Sequence, residues 1–412
     1  MSPRPLGRPR PAFVTCAGGA EPHLARELSR LGAQEVEASH LGVHCLLSEE
    51  LIWRVNTYTR LGNRVLIPIA EFEARDRAQL YDAVKRVRWD WWVHTSQTIA
   101  VDASSVNSEL SHTHFIAQVV KDGVVDQLRE RFDERPSVNT EDPDLPINAR
   151  IFGDVCTLSV DTSGARLHRR GYRLEGGRAP LKETLASLLN HHAGWRPHEP
   201  LIDLCCGSGT LVIEAALRAA RRPPNWERAA LGAEPGGFPI CRWRGHSAER
   251  YAAWLTKTPR PEPLPCALWG SDISRRQVAR ARDNAERAGV SELCHWADGD
   301  LNELASAAVE WAAARRAELS AHSAEGASEA EGNRLGVVLM NPPYGERLGE
   351  AEELEGFYKR LGSTLKHQLT GYEAWLIVEE GSPWRSIGLK TKQRIPVRNG
   401  ALKCLLVQIP LY

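Results

Sequence analysis

The residues Asn341, Pro342, Pro343 and Tyr344 follow the apolar run GVVLM directly. The two prolines lack N–H groups and stiffen the loop, so its carbonyl oxygens stay free to accept hydrogen bonds. The side-chain oxygen of Asn341 and the carbonyl of Pro342 can both bind one exocyclic NH₂ group. This grip favours pyramidalisation of a planar amine, which exposes its lone pair for attack on a methyl sulfonium. Tyr344 can stack on a base turned out of its helix.

A second motif lies in LIDLCCGSGTLVIEAA, where an apolar strand over 201–204 enters a glycine loop and then a helix. Glycines allow a sharp turn and a close ligand approach, and the helix N-terminus offers unpaired N–H groups. Asp203 at the strand end would repel a phosphate but attract an ammonium. The loop is not G-x-G-x-x-G and lacks the P-loop lysine. Both facts favour S-adenosylmethionine over NAD or ATP.

Each motif has a plainer alternative. The glycine loop could be an ordinary strand–helix turn, and the Asn341 motif could be a proline turn after a strand. We favour the chemical interpretation because the two motifs occur together and no Ser/His/Asp triad, metal cluster or carboxylate pair competes with them. We interpret Cys205 and Cys206 as packing residues beside the loop, with Cys205 among the cofactor contacts.

Further cofactor contacts are expected at the ends of later strands. A second acidic residue should bind the ribose hydroxyls, and LWGSDIS supplies Asp272, with Ile273 beside it for the adenine. Asp272 could instead only cap the helix that starts at Ser274. Asp272 follows Asp203 by 69 residues, whereas about 20 is usual. The extra residues, 221–265, are therefore expected to form an insertion that loops out of the sheet-and-helix fold. WADGDLNEL offers Asp300 for the adenine amino group and Leu301 for the ring, with Asp298 as a weaker alternative.

The pattern of elements divides the chain near residue 165. Residues 1–10 are Pro/Arg-rich and predicted to be disordered, and an α+β mixture with antiparallel-type strands follows them. After residue 165, near-continuous apolar strands alternate with helices, which predicts a doubly wound parallel sheet. The low-complexity stretch 317–334 is either a surface loop or an extension of the preceding helix.

Composition limits the class of protein. The 412 residues include 52 basic and 52 acidic ones, which fits a globular protein of two or three domains and argues against a simple polycation. The zero sum hides an acidic stretch over 122–144 and basic stretches over 166–260 and 381–412. One dense cluster is as consistent with phosphate contact as with a solvated surface: Arg166, His168, Arg169, Arg170, Arg173 and Arg178. Nine cysteines without a CxxC pair indicate reduced thiols in the cytoplasm, and neither a secretory signal nor a membrane span is expected.

With these motifs, the sequence resembles class I S-adenosylmethionine-dependent methyltransferases of the amino-methylating N-P-P-Y group. PAFVTCAGGAEPHLARELSRLGA resembles the ferredoxin-like segment that precedes THUMP RNA-binding domains. RLHRRGYRLEGGRAPLKETLASLL resembles the junction that follows THUMP. NPPYGERLG and RNGALKCLLVQI resemble the catalytic motif and the closing hairpin of the bacterial large-subunit rRNA guanine-N2 methyltransferases, the RlmL type.

The resemblance implies an α/β fold: a Rossmann-like seven-stranded class I methyltransferase domain preceded by an α+β ferredoxin-like/THUMP RNA-binding module. The expected boundaries are 11–60 for the ferredoxin-like segment, 61–165 for THUMP and 166–412 for the methyltransferase domain. The cofactor would be S-adenosyl-L-methionine, without a metal. Its candidate contacts are Asp203, Cys205, Gly207, Gly209, Thr210, Asp272, Ile273, Asp300 and Leu301. The catalytic candidates are Asn341, Pro342, Pro343 and Tyr344, and the RNA-binding candidates are Arg166, Arg169, Arg170, Arg173 and Arg178.

Five functions remain open at this point. The leading one is N2-methylation of a guanine in 23S rRNA or a large-subunit precursor. The same chemistry on tRNA is a close alternative, because THUMP proteins serve both RNAs. N6-adenine DNA methylation and protein-glutamine methylation use the same motif but do not need the N-terminal module. A non-catalytic RNA-binding factor would not need the intact set of Asp203, the glycines and Asn341.

Overall fold

The structure is a computed structural model that describes residues 8–173, 181–259, 262–322, 334–343 and 351–412. Its contacts form two compact units. The first unit comprises Met1–Leu167 together with Pro224–Pro259, and the second comprises His168–Pro223 together with Arg260–Tyr412. Among the described helices, none combines the length and the apolar composition of a membrane span.

The first unit is built on a mixed sheet. Its strands are β1 (Arg10–Thr15), β2 (Gln34–Ser39), β3 (Gly42–Leu47), β4 (Arg64–Glu73), β5 (Thr98–Val106), β6 (Ser137–Val138), β7 (Leu145–Phe152) and β8 (Val155–Asp161). The helices between them are α1 (Glu21–Leu31), α2 (Glu49–Tyr58), α3 (Arg77–Arg86) and α4 (Thr113–Phe132). The strand order is β2-β3-β1-β4-β8-β7-β5-β6. The pairs of β5 with β6 and with β7 are parallel, and the remaining pairs are antiparallel.

Two elements of this unit show what the sequence pattern could predict. Helix α1 buries Leu24 and Leu28, and it ends at Gly32, whose left-handed φ of 98° suits a glycine. Strand β2 was not predicted, because its residues are almost all exposed and lack an alternating apolar pattern.

The second half of the chain follows in order. Its helices are α5 (Glu183–His192), α6 (Thr210–Ala219), α7 (Trp226–Leu231), α8 (Ala248–Lys257), α9 (Arg275–Arg287), α10 (Leu301–His322) and α11 (Ala351–Gln368). Its strands are β9 (Pro200–Asp203), β10 (Ala267–Asp272), β11 (Cys294–Asp298), β12 (Val337–Met340), β13 (Glu373–Glu379), β14 (Gln393–Asn399) and β15 (Leu402–Pro410). Helices α7 and α8 belong to the first unit and the other elements to the second.

The sheet of the second unit has the order β11-β10-β9-β12-β13-β15-β14. The strands from β11 to β13 run parallel, and β15 is antiparallel to both of its neighbours. Strands β9 and β12 are buried throughout, as expected for a sheet covered on both faces. Chain order reverses between β9 and β12, and open α/β sheets bind ligands at the carboxyl ends of the strands at such a point.

The insertion between α6 and β10 packs within the first unit over residues 224–259. The Trp53 ring of α2 lies 5.5 Å from His246 and 5.1 Å from Tyr251, both in edge-on arrangements. Arg242 pairs with Asp142 at 2.8 Å and with Asp144 at 3.3 Å. The chain rejoins the second unit at Leu264, whose N–H donates to Ala219 O at 2.8 Å. The inserted segment 224–259 is therefore part of the core of the first unit.

Of the two predictions for the low-complexity stretch 317–334, an extension of the preceding helix is correct as far as His322, where α10 ends. Residues 323–333 lie outside the described residues.

We predict that Trp53→Ala destabilises the first unit. The Trp53 side chain is 1% exposed and joins α2 to the inserted segment, so its removal should lower the free energy of unfolding by about 3–5 kcal/mol. Trp91→Ala is the matched control, because Trp91 is only half-buried. Hydrogen exchange of amides in α2 and α8, with urea unfolding, would measure both. Equal losses for the two variants would contradict the prediction.

Candidate active site

The glycine loop between β9 and α6 is shaped by two left-handed glycines, Gly207 at φ 54° and Gly209 at φ 85°. A Cβ atom on Gly207 would meet nothing within 4 Å, so this part of the loop faces open space. A Cβ atom on Gly209 would lie 2.7 Å from the Trp296 ring and 3.0 Å from Ala281 Cβ. Gly209 thus permits close packing, whereas Gly207 leaves the backbone accessible to a ligand.

Asp203, at the end of β9, is a buried carboxyl group that is 1% exposed. Its Oδ1 accepts a hydrogen bond from Cys205 N at 3.1 Å. Burial raises the pKa of Asp203 well above its ordinary value, and the charge of Asp272 raises it further, although the Cys205 bond opposes this. A cationic group bound beside Asp203 would therefore favour the ionised form of this carboxyl group.

Asp272, at the end of β10, uses both carboxylate oxygens. Oδ2 accepts from Gly207 N at 2.9 Å, and Oδ1 accepts from Ser274 N at 2.9 Å. The bond from Ser274 N agrees with the alternative that Asp272 caps the following helix. The bond from Gly207 N joins the glycine loop to the end of β10. The neighbouring Ile273 is 80% exposed, which is unusual for a large apolar side chain and leaves a face for a planar ring.

The third strand end holds the remaining acidic candidates. Asp300 is exposed, and its Oδ1 accepts from Asn302 N at 2.9 Å. Leu301 is partly buried against the core of the second unit. Asp298, the weaker alternative, is also exposed and lies in register with Asp272 across β10 and β11. Both acidic residues thus stay at the same sheet edge as Asp203.

Asn341 follows β12 at the edge where β9 also ends, because the two strands are parallel neighbours. Its side-chain oxygen is buried and has no hydrogen-bond partner among the described residues. Pro342 is buried, and the carbonyl of Pro343 accepts from the Tyr358 hydroxyl at 3.2 Å. Tyr344 lies outside the described residues. This buried oxygen lies near the glycine loop and has no partner within the described part of the chain, so an incoming donor could satisfy it.

Two of the arginines expected to contact RNA are paired with carboxylates within the second unit. Arg170 is 3% exposed and its guanidinium lies 3.7 Å from the carboxylate of Glu214. Arg173 pairs with Glu183 at 3.6 Å and donates to Leu181 O and to the Thr210 hydroxyl. Little of either side chain is exposed. Arg166 and Arg169 are exposed, and Arg178 lies outside the described residues.

The Thr210 hydroxyl accepts a hydrogen bond from Arg173. The structure therefore shows this side chain holding the start of α6 in place. Sequence reasoning missed the acid at the centre of this network. Glu214 is 1% exposed and accepts from the Ser187 hydroxyl at 2.7 Å and from Tyr172 at 3.2 Å. The sequence does carry one signal for Glu214: it is the acidic residue within the otherwise apolar start of α6, TLVIEAAL.

Asn284 is a second residue that sequence reasoning missed. Its side-chain amide, on α9, donates to Ser208 O at 3.0 Å and so supports the glycine loop from beneath. No pattern in the sequence around Asn284 distinguishes it from an ordinary polar residue of a helix.

A seven-stranded sheet with one antiparallel strand, a glycine loop after β9 and acidic residues after β9 and β10 define a class I methyltransferase fold. The sequence matches the RMKL-like methyltransferase domain over 170–314 and 308–408. It also matches the THUMP domain over 74–161 and the RlmL ferredoxin-like domain over 12–66. The chain therefore belongs to the RMKL-like methyltransferase family and is an S-adenosylmethionine-dependent RNA methyltransferase.

Individual relatives agree with this family. A candidate RNA methyltransferase of Synechocystis is 37% identical, with 98% of this chain and 97% of the relative covered. The ribosomal RNA large subunit methyltransferase K/L of Syntrophotalea carbinolica is 38% identical over 97% of this chain and 53% of the relative. This chain spans about half the length of the K/L relatives. The crystal structure of a candidate methylase from Clostridium difficile is 28% identical, with a TM-score of 0.80 and coverage of 98% and 99% of the two chains.

We predict that Gly209→Ala destabilises the second unit more than Gly207→Ala does. At Gly209 the left-handed strain adds to the close contact with the Trp296 ring, for a loss of about 3 kcal/mol. At Gly207 only the strain remains, about 1 kcal/mol. Denaturant unfolding of both variants in the full chain measures the difference, and a larger loss at Gly207 would contradict it.

Proposed function

We propose that this protein transfers a methyl group from S-adenosylmethionine to the exocyclic N2 amine of a guanine in 23S rRNA. The observation that carries the proposal is the buried side-chain oxygen of Asn341, which has no partner among the described residues. Such an acceptor is costly until a donor reaches it, and an exocyclic amine is a suitable donor. The name of the Syntrophotalea carbinolica relative supports ribosomal RNA as the substrate class.

The cofactor would bind along the carboxyl ends of β9, β10 and β11. Asp203 would face the cofactor's ammonium, Asp272 the ribose hydroxyls and Ile273 the adenine, with Asp300 and Leu301 beside the base. These residues fit the group, because Gly207 leaves the loop open and Ile273 leaves an apolar face exposed. When bound, the cofactor supplies an electrophilic methyl group on a sulfonium.

Asn341 and the carbonyl of Pro342 would hold the two hydrogens of the amine. Held in this way, the amine nitrogen would present its lone pair to the methyl group that the bound cofactor supplies, and the electron pair of the S–C bond would remain with the cofactor's sulfur. The methylated nitrogen loses one proton to solvent. Tyr358 would position the loop by holding the carbonyl of Pro343, and Tyr344 would stack on the extruded guanine.

The remaining assignments concern substrate delivery. We propose that the ferredoxin-like segment (11–60) and THUMP (61–165) bind the RNA, with Arg166, Arg169 and Arg178 as contacts beside them. The methyltransferase domain would start at residue 166, with the insertion 221–265 and the stretch 317–334 as additions to it. A protein acting on ribosomal RNA would work in the cytoplasm. N2-methylation of tRNA is the second candidate, because a THUMP domain fits either RNA.

Methyl transfer from isotope-labelled S-adenosylmethionine tests this function directly. We expect label in 23S rRNA, recovered as N2-methylguanosine after digestion, and none in DNA or protein. Label in tRNA alone would replace the rRNA assignment, and N6-methyladenosine would overturn the amine assignment.

We predict that Asn341→Ala lowers kcat by about 100-fold or more, because it removes an acceptor that acts on the reacting amine. The affinity for S-adenosylmethionine, measured by calorimetry, should stay unchanged, which separates this effect from a damaged cofactor site. Asn56→Ala changes a buried asparagine of the first unit and serves as the control for stability. Full activity in Asn341→Ala would remove Asn341 from the catalytic set.

We predict that cofactor binding releases a proton from Asp203. The raised pKa keeps this carboxyl protonated in the free protein to a higher pH than usual, and a bound ammonium favours its ionised form. Affinity should therefore rise as pH rises through the pKa of the free protein and then level off. Calorimetry below pH ~7 in buffers of different ionisation enthalpy measures the proton, since the cofactor's ammonium stays charged there.

Two controls accompany the proton measurement. Asp203→Asn should bind without releasing the proton, because its amide does not ionise. Methylthioadenosine lacks the ammonium and should release none from the unsubstituted protein. Equal proton release by both ligands would contradict the assignment of Asp203.

A further inference from the structure

The C-terminal hairpin formed by β14 and β15 carries charge of one sign. Residues 381–412 contain six Lys and Arg side chains and no Asp or Glu. All six are on exposed residues, and we name them the hairpin cations: Arg385, Lys390, Lys392, Arg394, Arg398 and Lys403.

The hairpin cations lack acidic partners among the described residues, in contrast to other cations of the same unit. Arg334 pairs with Glu199 and Glu373, and Lys359 pairs with Glu355. Uncompensated like charges repel one another, so such a cluster is stabilised when an anion neutralises it.

Neutral contacts hold two of these guanidinium groups in place. Arg385 and Arg394 lie over the Trp384 ring at 4.8 Å and 5.2 Å. Arg394 also donates to the Thr391 hydroxyl at 3.1 Å and 3.0 Å. These contacts restrict the side chains without cancelling their charge, which lowers the entropy lost when an anion binds.

The hairpin places these charges along a line that reaches the candidate catalytic edge. Arg394 and Arg398 share one face of β14, and Arg398 pairs with Lys403 across the hairpin. From Lys392 to Arg398 the chain spans about 20 Å at strand spacing. The turn between β14 and β15 lies at the carboxyl edge of β13, because Glu379 pairs with Cys404.

Asn341 follows β12 at this same edge. Strands β12 and β14 are separated by three strand spacings in the sheet order, which is about 14 Å. A stacked nucleic-acid strand lying on the hairpin can cover that distance with about four nucleotides.

We propose that the hairpin cations bind the sugar-phosphate backbone of the RNA substrate and direct it towards Asn341. This inference rests on the proposed function and adds a contact surface within the second unit. The small exposure of Arg170 and Arg173 strengthens it, because those side chains offer little surface to a phosphate. Basic side chains on an edge strand also prevent sheet-to-sheet aggregation, and that simpler role makes no prediction about RNA affinity.

The test compares two triple variants of the full chain that lose the same charge. The hairpin variant is Lys392→Gln, Arg398→Gln and Lys403→Gln. The control variant is Lys359→Gln, Arg360→Gln and Lys366→Gln, all exposed on α11. Binding of a 23S rRNA transcript and of a tRNA transcript is measured across a series of KCl concentrations.

We expect the hairpin variant to lower the slope of log Kd against log [KCl] by about 2–3, the loss of three phosphate contacts. Its affinity for S-adenosylmethionine and its unfolding curve should match the unsubstituted protein. The control variant should change the slope by less than 1. Equal slopes in the two variants would overturn the proposal, and so would a hairpin variant that changes only the oligomeric state.

Failure of the proposed function would look different. If the unsubstituted protein methylates tRNA and not 23S rRNA, the rRNA assignment fails, while a lowered slope with tRNA would still support the hairpin surface. If the unsubstituted protein methylates 23S rRNA but the slopes are equal, the hairpin proposal fails by itself.

Discussion

One hydrogen bond holds the candidate cofactor site together: the Gly207 N–H donates to the carboxylate of Asp272 at 2.9 Å. Strands β9 and β10 are parallel neighbours, so the glycine loop and Asp272 meet at the same edge. The other oxygen of Asp272 binds Ser274 N and fixes the start of α9. Asn284 then returns from α9 to Ser208 in the loop. This closed cycle of contacts fixes the loop before any ligand arrives, which reduces the ordering cost of binding.

The sequence was sufficient where a single local pattern determines the structure. The apolar strand Pro200–Asp203, the glycines after it and the acidic residues at 203 and 272 define a strand, a loop and a candidate cofactor edge without reference to distant residues. The sequence was insufficient where the partner is far away in the chain. Arg170 looked like a surface cation because Glu214, the acid that keeps it buried, is 44 residues distant.

Pairing of charge also changes the meaning of the acidic stretch 122–144. Asp142 and Asp144 are paired with Arg242 of the inserted segment, and Glu130 is paired with Lys85 on α3. Much of this acidity is therefore balanced inside the first unit and is not a free negative surface facing an RNA. The zero net charge of the chain thus combines internally paired charges with exposed ones, and only the exposed ones bear on association.

The inserted segment has a consequence for synthesis and for engineering. Trp53 and Trp92 are covered by residues of 224–259, namely Tyr251 and Trp243, with ring centroids 5.1 Å and 5.7 Å apart. On the ribosome, the first unit cannot close its core until residue 259 has emerged, after the first strand of the methyltransferase sheet. A fragment cut at residue 167 would expose two tryptophans to solvent. The N-terminal unit is consequently not a cassette that can be exchanged at that boundary, and a chimaera must carry the inserted segment with it.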